Sequence, residues 1–252
     1  MKKGLTAVIV VACLVVAAWF GCDLVNDLLK YQKVDNDNHA LVKEVVRKGR
    51  KRKGKVGYSK KALARHIRFD ILRRRNPDIC AWIYVPGTGI DYAVLKGRTN
   101  NTYLHRNFRR QYSFAGSIFM DKMCDRSFRS DNTILYGHNM KSGSMFAPVK
   151  KFARKSYFRK HPYVYVYLPD GSLNVYAVFS SNIIRATSDL YSINIDYQVY
   201  VKRVLAGAEV KTKCNLDVIK NVQAPLLMMS TCSAPHVSSR HVLYSRLDKH
   251  VV

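Results

Sequence analysis

Residues 163–167 read Tyr163-Val164-Tyr165-Val166-Tyr167, and residues 173–179 read Leu173-Asn174-Val175-Tyr176-Ala177-Val178-Phe179. Between them lies Pro169-Asp170-Gly171. Two runs of β-branched and aromatic residues flanking an Asp-Gly turn predict an antiparallel hairpin. The same texture extends in both directions. Upstream, Ala81–Val85 and Ile90–Leu95 flank the turn Pro86-Gly87-Thr88-Gly89, and Gly116–Met120 and Asn132–Gly137 add two more runs. Downstream, Pro225–Ser230 and His241–Ser245 are the last. Two segments break the pattern. Ser144–Lys160 reads as a helix with Met145, Phe146, Val149 and Phe152 facing inward, and Ile195–Ala208 reads as a second. About eight short strands with two inserted helices predict a mainly β domain closed into a barrel.

The chain has 252 residues, and 48% of them are hydrophobic, enough for one well-cored domain plus an appendage. The strand-rich domain occupies 76–252. Ahead of it, residues 1–4 carry Lys2 and Lys3, and Leu5 to Cys22 is an apolar run of eighteen residues without a charge. That length just spans a bilayer, and no small-x-small cleavage site closes it. The expectation is a single-pass signal-anchor at 5–22, with residues 1–4 cytoplasmic and the domain outside. Residues 23–75 then form a juxtamembrane and basic helical region. Within 43–75 there are fifteen Lys/Arg against Glu44 and Asp70, a net +13 and half of the chain's +26. The run Arg47 to Lys55 contains Gly49 and Gly54 and reads as a loop between two helices. Leu41, Val45 and Val46 would lie on the first. Ala62, Leu63, Ile67 and Ile71 would lie on the second, capped by Ser59. Such charge calls for an anionic partner. For a domain outside the cell, acidic lipid or wall polymer is expected rather than nucleic acid.

Six cysteines are present, Cys13, Cys22, Cys80, Cys124, Cys214 and Cys232, with no CxxC pair and no zinc-type spacing. No metal, cofactor or disulfide is expected, and Cys80, Cys124 and Cys214 read as separate thiols. Cys232 differs because it ends the apolar run Leu226-Leu227-Met228-Met229-Ser230-Thr231, where a nucleophile is both held and exposed. His138 also ends a strand, after Gly137, and supplies the proton partner a thiol nucleophile requires. Arg240 lies eight residues after Cys232. In an adjacent antiparallel strand it would face back toward the thiol and stabilise an oxyanion. Arg246 competes for that role but lies six residues further on.

Together these residues resemble the sortases, cysteine transpeptidases of Gram-positive cell surfaces. The family's Thr-Leu-x-Thr-Cys motif is matched by Met228-Met229-Ser230-Thr231-Cys232, with Met for Leu and without the leading Thr, and Arg240 follows. Tyr136-Gly137-His138 matches the histidine context. Gly89-Ile90-Asp91-Tyr92, Asn100, Tyr103-Leu104 and Gly116–Asp121 resemble class B. The resemblance implies a closed eight-stranded barrel with N-terminal helices and a helix between its sixth and seventh strands. It implies that Cys232 attacks the Thr carbonyl of a C-terminal sorting motif such as LPxTG or NPxTN. An amine, from a peptidoglycan precursor or another surface protein, then resolves the thioacyl enzyme. His138 would move protons and Arg240 would hold the oxyanion, and both as cations would lower the thiol pKa. Ser230, Asn100 and Ile193 match positions of the substrate groove. Two other readings stand beside this one: a pilin-polymerising sortase with a Lys acceptor, and a non-enzymatic basic protein that binds wall polymer.

Overall fold

The structure is a computed structural model; it describes residues 2–211, 223–232 and 238–252, with the side chains of residues 2–12 and of a few others, Cys232 among them, left outside the description. Cys214 falls outside the described residues. The chain divides into two compact units, Met1–Leu41 and Val42–Val252.

The first unit consists of helix α1 (Lys2–Val45), whose last turn belongs to the second unit. Leu14, Val15, Val16, Trp19 and Phe20 are all exposed on it. Among the described residues no helix is long and apolar enough to cross a membrane. The side chains of the first half of the Leu5–Cys22 run lie outside the description.

The second unit adds β1 (Val46–Lys48), α2 (Lys60–Leu63), β2 (Arg65–Ile67) and α3 (Phe69–Arg75). Then follow β3 (Ile79–Val85), β4 (Ile90–Leu95), β5 (Ile118–Met120), β6 (Asn132–His138), a 3-10 helix (Ala147–Ala153), α4 (Lys155–Lys160), β7 (Tyr163–Tyr167) and β8 (Leu173–Arg185). Helix α5 (Tyr197–Ala206), β9 (Ala208–Lys211), β10 (Leu226–Cys232) and β11 (Ser239–Val251) complete the chain.

The sheet order is β11-β10-β6-β5-β4-β3-β7-β8-β9, and β11 also pairs with β8. That pairing closes eight strands into a ring and leaves β9 as a flap on β8. Helix α5 falls between the sixth and seventh strands of the ring, so the expected barrel and its inserted helix are both present. The hairpin at 163–179 forms as read: Tyr163↔Ala177 through Tyr167↔Leu173 are partners, and Gly171 takes φ +87° in the turn. Burial of Trp82, Tyr165, Tyr176 and Tyr244 fills the interior.

Two helical expectations are corrected. Ala62 to Ile71 is not one helix. Ser59 does cap α2, its Oγ accepting from Ala62 N at 3.2 Å, but the helix lasts one turn. Arg65-His66-Ile67 then pairs antiparallel with Val46-Arg47-Lys48, so Val46 is extended as well. Cross-strand pairing of β-branched Val46 and Ile67 overrides a helical period carried by only a few apolar residues. Likewise 144–160 is divided at Arg154, which is extended with ψ 121°. The inward residues Phe146, Val149 and Phe152 recur every third position, and all three are buried. That period suits a 3-10 helix, where i and i+3 eclipse.

The N-terminal hairpin is fastened to the barrel by one buried ion pair. Arg65, 5% exposed, donates to both oxygens of Asp91 at 2.8 Å and stacks 4.0 Å over the Tyr84 ring. Trp82 Nε1 donates to the same carboxylate at 2.6 Å.

Candidate active site

Strands β6 and β10 run parallel, and their register pairs Ser230 with Tyr136, Thr231 with Gly137 and Cys232 with His138. Paired strands lie about 4.8 Å apart, so the backbones of Cys232 and His138 are immediate neighbours. The sequence ends both strands at these residues, which puts them together on the barrel rim. On the other side of β10, β11 runs antiparallel with Leu226↔Arg246 through Ser230↔Val242. Carried two residues further, that register sets Arg240 opposite Cys232. His241 N donates to Thr231 Oγ1 at 3.1 Å and holds the two strands together there. Arg246 is opposite Leu226, about 20 Å away at the far end of β10. By register, then, Arg240 and not Arg246 is carried to the Cys232 end of β10.

Gly137 explains the Tyr-Gly-His sequence. A Cβ there would lie 2.4 Å from Ile118 Cδ1 and 2.7 Å from the Phe146 ring, so only glycine lets these side chains pack against the strand just before His138. Phe146 N in turn donates to the His138 carbonyl at 3.0 Å.

The His138 ring is half-buried, and its Nε2 lies 2.8 Å from the Leu104 carbonyl. Burial lowers its pKa below the ordinary histidine value; the Leu104 bond raises it in part, and neighbouring His105, with ring centroids 5.5 Å apart, lowers it again. Burial and His105 thus both favour the neutral form of the ring. Among the other described thiols, Cys80 and Cys124 are buried, and burial pushes them up to about 12 and about 11. Neither ionises at physiological pH.

Three further candidates were expected in the groove. Ser230 is fully buried, and its Oγ is 2.8 Å from the Tyr191 hydroxyl. Asn100 donates to Asp121 Oδ2 at 2.8 Å and accepts from Lys122 N at 2.8 Å. The Tyr136 hydroxyl donates to the same Asp121 oxygen at 3.0 Å, and the Tyr136 ring stacks on Tyr191 with centroids 6.1 Å apart. A continuous chain Asn100–Asp121–Tyr136–Tyr191–Ser230 thus includes Tyr136, two residues before His138 on β6. Ile193 is not part of it. Its carbonyl accepts from Asn132 N at 3.2 Å, at the opposite end of β6 from His138. Tyr191, Asp121 and the Leu104 carbonyl escaped the sequence reading. Asp121 closes a stretch already singled out, but a backbone carbonyl leaves no mark in a sequence.

Comparison with known proteins agrees with this geometry. The sortase domain model matches residues 83–248. Sortase B of Listeria monocytogenes is 33% identical over 162 residues, which are 60% of this chain and 65% of that one, somewhat under two thirds of the relative's length. Sortase B of Staphylococcus aureus is 31% identical over 194 residues, 73% of this chain and 77% of that one. The solved Staphylococcus aureus sortase B–substrate complex superimposes with a TM-score of 0.65 at 26% identity, covering 72% of this chain and 84% of that one. A barrel closed through β8 and β11, a cysteine and a histidine paired across parallel strands, and relatives of this kind lead to one conclusion: the chain belongs to the sortase family of cysteine transpeptidases, within class B.

Proposed function

We propose that this sortase is anchored by residues 5–22, faces outward, cleaves a C-terminal sorting motif after Thr and passes the acyl group to a cell-wall amine. The observation that carries the chemistry is the register pairing of Cys232 with His138, with Arg240 across the next strand. The uncharged run Leu5–Cys22 and the exposed apolar residues of α1 support the anchor.

The Cys232 thiol gives its proton to the neutral His138 ring, and the thiolate sulfur bonds to the Thr carbonyl carbon. Arg240 donates to the oxyanion that forms. The C–N bond then breaks, and the departing amine takes the proton from the His138 imidazolium. A thioester remains. An incoming amine loses its proton to His138, attacks the thioester carbonyl and displaces the Cys232 thiolate, which takes that proton back from the imidazolium and so restores the enzyme. A histidine with a lowered pKa gives up its proton readily, which suits the protonation of an amine leaving group. The relative solved with its substrate supports a peptide in the groove beside Ser230 and Asn100.

The test uses the full chain with fluorogenic LPxTG, NPxTN and SPxTG peptides, each with and without an amine acceptor. Cleavage after Thr that disappears in Cys232→Ala is the expected result. Cleavage unchanged in Cys232→Ala would remove Cys232 as the nucleophile. A product joined through a Lys side chain rather than a wall-type amine would point to pilus assembly.

A further inference from the structure

The ring of His138 has two nitrogens, and its environment distinguishes them. Nε2 faces the Leu104 carbonyl at 2.8 Å. A carbonyl oxygen only accepts, so Nε2 must carry a hydrogen in the neutral ring, and Nδ1 is left as the basic nitrogen. Everything then depends on where the Leu104 carbonyl points.

Leu104 lies in the loop between β4 and β5, which is bonded closely to itself. Leu104 N donates to Asn101 O at 3.3 Å, Ser113 N to His105 O at 3.0 Å, and Ser117 N to Tyr103 O at 3.1 Å. At the crossing point sits Gly116, buried, with φ +56°. A Cβ on Gly116 would lie 2.2 Å from Leu104 O, 2.7 Å from Tyr103 O and 2.9 Å from Leu104 C. These are backbone atoms fixed by the bonds just named, so no side chain can rotate out of the way. The bare α-carbon of Gly116 is what permits the Leu104 carbonyl to lie where it does.

We propose that Gly116 is a positioning residue for His138: by making room for the Leu104 carbonyl it fixes the proton on Nε2 and makes Nδ1 the atom that exchanges protons with the thiol and the amines. The proposal rests on His138 being the proton carrier of the reaction above. In each half-reaction one proton enters and leaves at Nδ1, while the Nε2 proton stays bonded to Leu104. The neutral and cationic rings then share one orientation, and no ring flip separates the two proton transfers. Displacing the carbonyl would release the ring and mix the tautomers.

Two arms test this on the full chain. In the first, long-range 15N–1H spectra of the unmodified protein at alkaline pH report the tautomer directly. The Nε2–H form is expected, and an Nδ1–H form overturns the proposal. In the second, Gly116→Ala is compared with Gly171→Ala. Gly171 also has a left-handed φ, +87°, but an added Cβ there meets nothing within 4 Å, so it carries the backbone strain without the crowding. Gly116→Ala is expected to lose roughly 100-fold in kcat with KM little changed, the scale set by a misplacement of about 1 Å, and to show mixed tautomers. Gly171→Ala is expected to keep both kcat and the Nε2–H form. Equal kcat in the two variants overturns the proposal. If Gly116→Ala does not fold, the first arm decides alone. His138→Ala separates the two levels: full activity in it removes the proton-carrier reading and the positioning role together. Inactivity in it combined with an Nδ1–H tautomer removes only the positioning role.

Discussion

His138 titrates below the ordinary histidine value because burial disfavours its charged form and His105 adds to that effect. The sign of the stability effect follows from which state binds the proton first. On acidification through about pH 6.5 the unfolded chain protonates while the folded ring stays neutral, so stability falls as pH drops toward the folded pKa. Buried His161 and half-buried His241 are lowered by burial too and act in the same direction. Urea midpoints should therefore fall between pH 7.5 and pH 5.5, and His138→Gln should flatten part of that slope; a midpoint that rises over this range contradicts the assignment. Replacing His105 by Gln removes the neighbouring imidazole that lowers His138 and should raise the His138 pKa, read from the titration of its ring protons by NMR. A lower pKa in that variant would mean His105 acts otherwise. Tyr191 offers a third residue-scale expectation. Tyr191→Phe leaves the fully buried Ser230 hydroxyl without its 2.8 Å partner and should cost about 1 kcal/mol in thermal unfolding.

Among the elements, the β1–β2 hairpin is tied to the barrel through the pair Arg65–Asp91. Removing one partner strands a charge in a nearly closed site, so Asp91→Ala should lose about 3 kcal/mol by chemical denaturation. A loss near zero would mean the carboxylate is replaced by water at no cost. This hairpin also marks where sequence reading stopped. The strands at 81–85, 90–95 and 163–179 carry enough alternating or β-branched residues to declare themselves. Three-residue strands such as Val46–Lys48 do not, because their pairing partner is set by tertiary contact. The site divides in the same way. Cys232 and His138 are legible because each terminates an apolar strand, and Arg240 because antiparallel register returns it to the thiol. The Tyr191 hydroxyl comes from a one-turn 3-10 helix, Asp189–Tyr191, and the Leu104 carbonyl from a loop, neither of which any periodicity encodes, and Ile193 bonds through its carbonyl at the end of β6 away from His138.

At the scale of the whole molecule, +26 is not distributed evenly. In the basic segment Arg52, Lys55, Arg65, Arg68, Arg74 and Arg75 are bonded to carbonyls or carboxylates of the fold. Lys48, Arg50, Lys51, Lys53, Lys60 and Lys61 are exposed on its surface. Binding to a linear polyphosphate should weaken steeply with added salt, as counterion release requires, and reversing these six charges to Glu should flatten the dependence. A salt slope unchanged by the reversal would place the contact elsewhere. The parallel pairing of β6 with β10 has a consequence of a different kind. The histidine strand lies mid-chain and the cysteine strand near its end, so the two are joined by a contact of long sequence separation, the sort that forms slowly. Until β10 slots in beside β6 and β11 shuts the ring, Cys232 is set beside neither His138 nor Arg240. The pairing that brings Cys232 and His138 together is therefore completed late, and the site exists only once the barrel is whole.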